Sequence, residues 1–578
     1  MFCIRLIGAH VALVSRGVLA PDYLLNGLIP TFAEFDGIGM VVPQLVTSDG
    51  RVVNFGDEIH RGSVTLYDHP QLNQNSSRHH VNYESQICAV IAGEVWQKID
   101  WFDEVYSRRH CPLLNLSYRV RELGYECLYV PSTKLTLDSD RCSDLVEGQG
   151  CENRTAINRI KLKARWHRSS VAKDNWRKEW QVDRITNDIR QVLVVDFDTP
   201  QPDANAGGYA ALKEMQVLQS IGYQVTFIPR NLEYAGAHTD AIQRMGIECV
   251  HTPFYEDIDE FLSKRAREFS LIYVTRYHVA QDFLAKFRQY VPTAKIVLML
   301  ADLHFLRELR AALHNNDDEQ LSQAMETREN ELAVMRKVDL VLSYTDVEKT
   351  VILSHNLAST KVAKCPWVCD VVKCVSGFEN RVDIAFLGGF NHTPNVEAMV
   401  WFIERVLPTL LKQLPEAQLR IYGSAIPHSI KDLAGSNSRI QVLGWVSDVA
   451  SVYNSCRVFI APLQSGAGIK GKVIGALAHG LPSVLSDIAV EGIGVCDEIH
   501  AFVASSPDEW VNRIKMLYTD QVLWEQMSQH AISFAKRHYS LDNAIVEMKA
   551  ALSTVGIEPI LEPKALVWKG PWRSVAQI

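Results

Sequence analysis

Two consecutive series of short, continuous apolar runs constrain the fold of this chain more than any other feature of its sequence. In the first series, residues 191–196, 223–229, 271–276, 295–300 and 339–345 are rich in Val, Ile and Leu, with amphipathic stretches between them. Runs of strand length without polar alternation suit strands buried on both faces of a parallel sheet. Residues 206–221 carry apolar side chains at helical spacing, with Gly222 just beyond as a stop. Repeated β-α-β units of this kind predict an α/β class with a doubly wound sheet. The rhythm restarts near residue 383, with strands expected at 383–388, 418–424, 440–446, 457–463 and 482–487. Helices are expected at 396–411, 470–479 and 507–518, followed by terminal helices at 521–538 and 541–553. The expected domains are therefore 191–375 and 376–555, with a hinge around 365–375 and a tail, 556–578, that carries Pro559, Pro563 and Pro571 and has no assignment.

The 578 residues leave room for about three or four domains, so more precedes these two. Residues 1–155 read as a further segment, with a strand at 39–46, an Asp49-Gly50 turn, a helix at 114–124 and a strand at 126–130. Residues 156–190 read as a linker helix with a solvated charged face (Lys161, Lys163, Arg165, Arg168, Lys173, Arg177, Lys178, Arg184); contact of this face with a membrane or an anionic glycan is the open alternative. The charge balance, 59 basic against 67 acidic residues, gives −8 and argues against nucleic acid as the partner. No apolar run reaches the roughly 18 residues of a membrane helix. The first twenty residues, interrupted by Arg5, His10 and Arg16, do not read as a signal peptide. Of twelve Cys, only Cys365, Cys369 and Cys374 cluster, and no CxxC pair occurs, so free thiols in a reducing cytoplasm are expected rather than a zinc site.

Ligands of doubly wound sheets bind outside the carboxyl ends of the strands, and domain interfaces are favoured. Three loops that follow expected strands matter here. After Asp196, the loop 198–208 ends in Gly207-Gly208 at a helix mouth. Glycines there admit close backbone approach to an anion, and a tight turn with ordinary helix packing is the plainer alternative. The loop has no GxGxxG spacing, which disfavours a dinucleotide-dependent dehydrogenase. After the strand at 383–388 come Gly388-Gly389, again before a helix. After the strand at 457–463 come Gly466, Gly468, Lys470 and Lys472, also at a helix start. Lysines there oppose the helix dipole, so a bound polyanion such as a diphosphate would account for them; two solvated lysines are the alternative.

These residues carry a resemblance. Gly388-Gly389, Pro394-Asn395, Trp401-Phe402, Leu407-Pro408, Gly423-Ser424, Leu443-Gly444, Gly466 to Val473, Gly480-Leu481-Pro482 and Glu491-Gly492 resemble the C-terminal domain of GT-B glycosyltransferases of the group-1, family-4 type. Pro202-Asp203, Ala206-Gly207, Arg276-Tyr277-His278 and Asp302-Leu303-His304 resemble its N-terminal, acceptor-side domain, so the match spans about 191–540. The resemblance implies two Rossmann-like doubly wound domains and transfer of a sugar from a nucleotide-sugar donor to an acceptor. It implies no cofactor and no metal, the diphosphate being met by basic residues and helix N-termini. It also implies retained stereochemistry. By position, Gly388 and Gly389 would approach the donor phosphates and Lys470 and Lys472 would hold them. Glu491 would bind ribose or sugar hydroxyls, Gly207 and Gly208 would line the cleft, and His278, Asp302 and His304 would face the acceptor or the transferred sugar. For each histidine alone, a structural hydrogen-bonding role stands beside this one.

Such enzymes usually carry two Glu eight positions apart; here those positions hold Ala467 and Gly475. Either Glu491 compensates, or donor affinity is weakened, or the domain is inactive. The N-terminal segment, through Gly39 to Leu45, Asp49-Gly50-Arg51, Phe102-Asp103-Glu104, Leu116 to Arg119 and Gly124 to Pro131, is similar to the second half of a family-2, GT-A glycosyltransferase. Ser15, Arg16 and Gly17 stand where its metal-binding Asp pair belongs, and Pro112 and Leu113 stand where its catalytic acid pair belongs, so the segment reads as a truncated, inactive remnant.

The leading expectation is thus a cytoplasmic glycosyltransferase of cell-surface polysaccharide synthesis, with a glycan or lipid-linked acceptor and a peripheral contact with the inner face of the membrane. A degenerate transferase acting as a binding or scaffold protein is the alternative. A nucleotide-sugar epimerase is a third reading, and the Gly-Gly-Phe and Lys-Gly-Lys stretches count against it.

Overall fold

A computed structural model describes residues 2–7, 9–15, 22–47, 79–80, 88–99, 112–137, 190–372, 376–559 and 568. The expected Asp49-Gly50 turn, the linker helix at 156–190 and most of the tail lie outside the described residues. The chain forms two compact units: Met1–Leu193 with Leu218–Lys264 and Leu561–Trp572, and Val194–Val217 with Arg265–Ile560 and Arg573–Ile578.

In the first unit, β1 (Phe2–Ile7), β2 (His10–Ser15), β3 (Ile38–Thr47), β4 (His79–His80), β5 (Cys88–Ala92) and β6 (Glu126–Leu137) form a mixed sheet in the order β1-β2-β5-β3-β6-β4. Only β3 and β6 pair in parallel; the β1–β2, β2–β5, β3–β5 and β4–β6 pairs are antiparallel. The sequence reading missed the hairpin at residues 2–15 because Arg5 and His10 interrupt its apolar pattern, yet Val11, Ala12, Leu13 and Val14 are all buried. Leu116 and Val120 of the helix Pro112–Glu122 pack against Leu13, Met40 and Ile91.

The sheet of the second unit uses the end of β7 (Arg190–Asp196), then β10 (Phe269–Thr275), β11 (Lys295–Met299), β12 (Leu340–Ser343) and β13 (Lys361–Lys364), in that spatial order. The strands β10 to β13 pair in parallel, each with the next. The intervening β8 (Tyr223–Pro229) and β9 (Glu248–Cys249) pair in parallel within the first unit.

The third sheet comprises β14 (Val382–Leu387), β15 (Leu419–Tyr422), β16 (Ile440–Gly444), β17 (Cys456–Ala461), β18 (Ser483–Leu485) and β19 (Phe502–Val503). All its pairings are parallel. Its order, β16-β15-β14-β17-β18-β19, is 3-2-1-4-5-6 counted from β14, the doubly wound arrangement. Its core is Phe386, Phe402, Leu410, Ile421, Val458, Trp510 and Ile514. The single helix expected at 396–411 is two, Thr393–Arg405 and Leu407–Gln413. Pro408 lacks the N–H that a continuous helix would use and fits only in the first turn of a new one. The helix expected at 470–479 is Gly471–Ala478. The strand order reverses between β14 and β17, which places the loops at 388–392 and 462–470 at the switch point.

Candidate active site

The site begins where β14 ends. The N–H of Gly388 donates to the Tyr422 carbonyl at 3.0 Å. A Cβ at Gly423, whose φ is +143°, would stand 1.8 Å from the Gly388 carbonyl oxygen, so the two glycines interlock. With that carbonyl turned toward Gly423, the trans peptide aims the Gly389 N–H the opposite way. The Gly389 N–H meets no protein acceptor among the described residues. The Gly389 carbonyl is bound by the Asn395 side-chain amide at 2.7 Å.

The loop after β17 supplies the cations. Gly466 and Gly468 take φ values of +129° and +73°, backbone that only glycine adopts freely. Lys470 is buried, and its ammonium donates to the Gly468 carbonyl at 2.8 Å. Lys472 donates to Asn395 Oδ1 at 2.5 Å and lies over the face of Phe386, 4.5 Å from the ring centre. Burial pushes Lys470 down to about 8, with Glu491 opposing the shift. Burial, with Lys470 nearby, pushes Lys472 down to about 7. These ammonium groups therefore turn inward, in a loop whose tip meets the opposite half of the unit. A Cβ on Gly468 would come within 3.1 Å of Asp302 Cβ.

On that opposite side, Asp302 pairs with His304 Nε2 at 3.2 Å and with the Arg307 guanidinium. Burial alone would raise the Asp302 carboxyl, but the hydrogen bond from His304 and the charge of Arg307 outweigh it and hold the group below its ordinary range. The ring of His304 lies 5.8 Å from that of His278, and Tyr277 and Phe197 also border His278. Two buried glutamates brace this turn from beneath. Glu331 accepts the His304 and Phe305 N–H groups at 3.1 and 3.0 Å, and Glu348 accepts that of Leu303 at 3.2 Å. Burial pushes both carboxyls up to about 7.

Gly207 and Gly208 lie in the first turn of the helix Ala206–Ser220 that follows β7. A Cβ on Gly207 would come within 3.0 Å of the Arg276 guanidinium, and one on Gly208 within 2.5 Å of the Gln201 backbone. Arg276 pairs with Asp196, joining the ends of β7 and β10. Glu491 does not face open space: Arg310 donates to both its oxygens.

The structure thus brings Gly388, Gly389, Lys470 and Lys472 together, with Asp302, His304 and Glu491 around the same loop. Sequence reasoning met Asn395 only as part of the family resemblance, with no role given to it, and did not single out Arg310, Glu331 or Glu348. Asn395 sits in a Pro-Asn pair at a helix start, a weak signal. Arg310 is one of many helix arginines, and its partner lies 181 residues away.

Residues 381–520, which contain this loop, match the family described as glycosyl transferases group 1. Residues 381–520 are therefore a glycosyl transferases group 1 domain, and the doubly wound sheets are those of a GT-B fold. An uncharacterized 44.6 kDa protein in the cps region of Klebsiella pneumoniae is 21% identical over 386 residues, which are 61% of this chain and 97% of that protein. Sucrose-phosphate synthase from Thermosynechococcus elongatus superposes with a TM-score of 0.50 at 13% identity, over 64% of this chain and 99% of that one. HepE from Anabaena, solved in complex with UDP, gives a TM-score of 0.49 at 13% identity, over 63% of this chain and 100% of that one.

Proposed function

We propose that this chain transfers a sugar from a nucleoside-diphosphate sugar to a glycan or lipid-linked acceptor in cell-surface polysaccharide synthesis. The observation that carries the reading is the inward-facing pair Lys470 and Lys472 beside the Gly389 N–H, at the point where strand order reverses. A diphosphate seated there would meet two ammonium groups, one backbone N–H and the N-terminus of the helix Gly471–Ala478. As the sugar–phosphate bond breaks, charge grows on the phosphate oxygens, and these groups stabilise it without reorganising. The ionised Asp302, with His304 beside it, would accept hydrogen bonds from the transferred sugar, and His278 would border the acceptor. Retention of configuration follows if the donor phosphate itself takes the acceptor proton from the same face. The reading calls for no divalent ion, and transfer is expected to persist in a chelator. The polysaccharide setting rests on the cps-region relative. A lipid-linked acceptor would hold the protein at the inner face of the membrane; among the described residues no helix is long and apolar enough to cross it.

A titration with UDP and GDP tests the donor site. Lys470→Ala and Lys472→Ala should each weaken binding by about 1–3 kcal/mol, the range of charge-assisted hydrogen bonds. Unchanged affinity in both variants removes the donor site from this loop.

One observation favours a second reading, a nucleotide-binding protein without turnover. Gly475 offers no carboxylate to a ribose, and a Cβ there would already stand 2.8 Å from the Tyr453 hydroxyl. Nucleotide binding with neither donor hydrolysis nor transfer to any glycan would select it.

A further inference from the structure

Asn395 touches Gly388, Gly389 and Lys472 of the proposed phosphate site, and we infer that it is a positioning residue that holds the Lys472 ammonium and the Gly388-Gly389 loop in register for one diphosphate. This deepens the donor reading above and rests on it. Its Nδ2 donates to the Gly389 carbonyl at 2.7 Å, and its Oδ1 accepts from Lys472 Nζ at 2.5 Å. The amide is therefore used at both ends, and the two bonds fix which way it points. Asn395 is only 7% exposed, so the amide itself meets little solvent. Its contact with the first glycine is equally tight: a Cβ on Gly388 would lie 2.9 Å from Asn395 Cγ.

The chemistry of an amide matters here. The bond to the Gly389 carbonyl fixes the Gly389–Phe390 peptide, next to the Gly388–Gly389 peptide whose N–H the Gly388–Gly423 contact aims away from the protein acceptors. Accepting from Lys472 tethers the ammonium without neutralising it, which a carboxylate at this position would do. Lys470, by contrast, has Glu491 and Glu348 close enough to act on its charge. The phosphate-facing charge of the loop thus depends on a neutral partner at position 395.

The test compares a nucleoside diphosphate with its nucleoside, UDP against uridine and GDP against guanosine, by calorimetry on the full chain. Wild type should bind one diphosphate at least about ten-fold more tightly than its nucleoside, and Lys472→Ala should remove most of that ratio. Asn395→Ala and Asn395→Asp should both reduce the ratio about five-fold or more while leaving nucleoside affinity within about two-fold. Asn395→Asp keeps the volume of the side chain, and an unchanged melting temperature in it separates positioning from collapse. A ratio lost in Lys472→Ala but intact in both Asn395 variants overturns the inference and leaves the donor site standing. A wild type that binds no diphosphate more tightly than its nucleoside overturns the donor reading, and the inference with it.

Discussion

Arg310 and Glu491 form a two-point ion pair, with the guanidinium donating to both carboxylate oxygens at 2.7 Å. Arg310 also donates to the Gly466 carbonyl at 3.2 Å, so one side chain from the helix His304–Asn315 holds both the glycine loop and the carboxylate. The two side chains are 34% and 26% exposed, so solvent screening limits the stabilisation to about 1 kcal/mol or less. The effect of the pair is therefore geometric. Arg310→Ala and Glu491→Ala should each raise the KM for the donor with little change in melting temperature, and the double variant should be no worse than the poorer single one. Additive losses in steady-state kinetics would mean that the two residues act separately.

Donor affinity should fall as pH rises. Lys472 is pushed down to about 7 and Lys470 to about 8. A bound diphosphate favours the charged forms, so the bound-state pKa values lie higher than the free ones. The gain in affinity is then complete below the free values and is lost as pH climbs through them toward the bound ones. Asp302, Arg307 and His392 lie near enough to act on the same region, and burial, with the charge of Lys472 beside it, keeps His392 below its ordinary pKa. Calorimetry from about pH 6.5 to about 9 should show weakening affinity together with proton uptake on binding. A flat profile would mean that both lysines are fully charged without ligand.

The buried carboxyls give stability the opposite dependence from that of ordinary surface acids. Glu214, Glu331 and Glu348 are each pushed up to about 7, first of all by burial. A carboxyl whose folded pKa exceeds its unfolded one adds stability that is complete below the unfolded value and is lost as pH rises through the folded value. Their contribution should therefore decline between about pH 4.5 and about pH 7. Urea unfolding at about pH 5.5 and about pH 7.5 should show a smaller pH-dependent loss in Glu331→Gln than in wild type. Equal losses would place the titration elsewhere.

Gly423 should tolerate no side chain. With φ at +143° and the Gly388 oxygen 1.8 Å from an added Cβ, Gly423→Ala combines backbone strain with a steric clash. The penalty should be about 3 kcal/mol or more. Gly389→Ala, with Ser424 Oγ at 3.7 Å its nearest contact, should change the melting temperature far less. Equal shifts for the two variants would refute the interlock.

The parallel strands were legible because burial on both faces removes polar alternation, and Tyr223–Pro229 and Leu541–Ser553 carry the boundaries read from sequence. Short edge strands such as Lys361–Lys364 were not legible, because one exposed and three half-exposed residues, two of them lysines, carry no apolar signature. The glycine loops and Lys470 and Lys472 stood out because glycine pairs and lysines at a helix start violate local preference. Asn395 and Arg310 violate nothing locally. Their meaning lies in partners 77 and 181 residues away, which only folding brings near.

Tyr453 fills the space beside Gly475 and donates its hydroxyl to the Lys472 carbonyl at 3.0 Å, with 3% of its surface exposed. An acidic side chain at 475 therefore has to displace the ring that already stands there. Trimming the ring first would open a void and strip the Lys472 carbonyl of its donor. An acid at this spot would thus require a second change at 453, and the glycine and the tyrosine act as one unit.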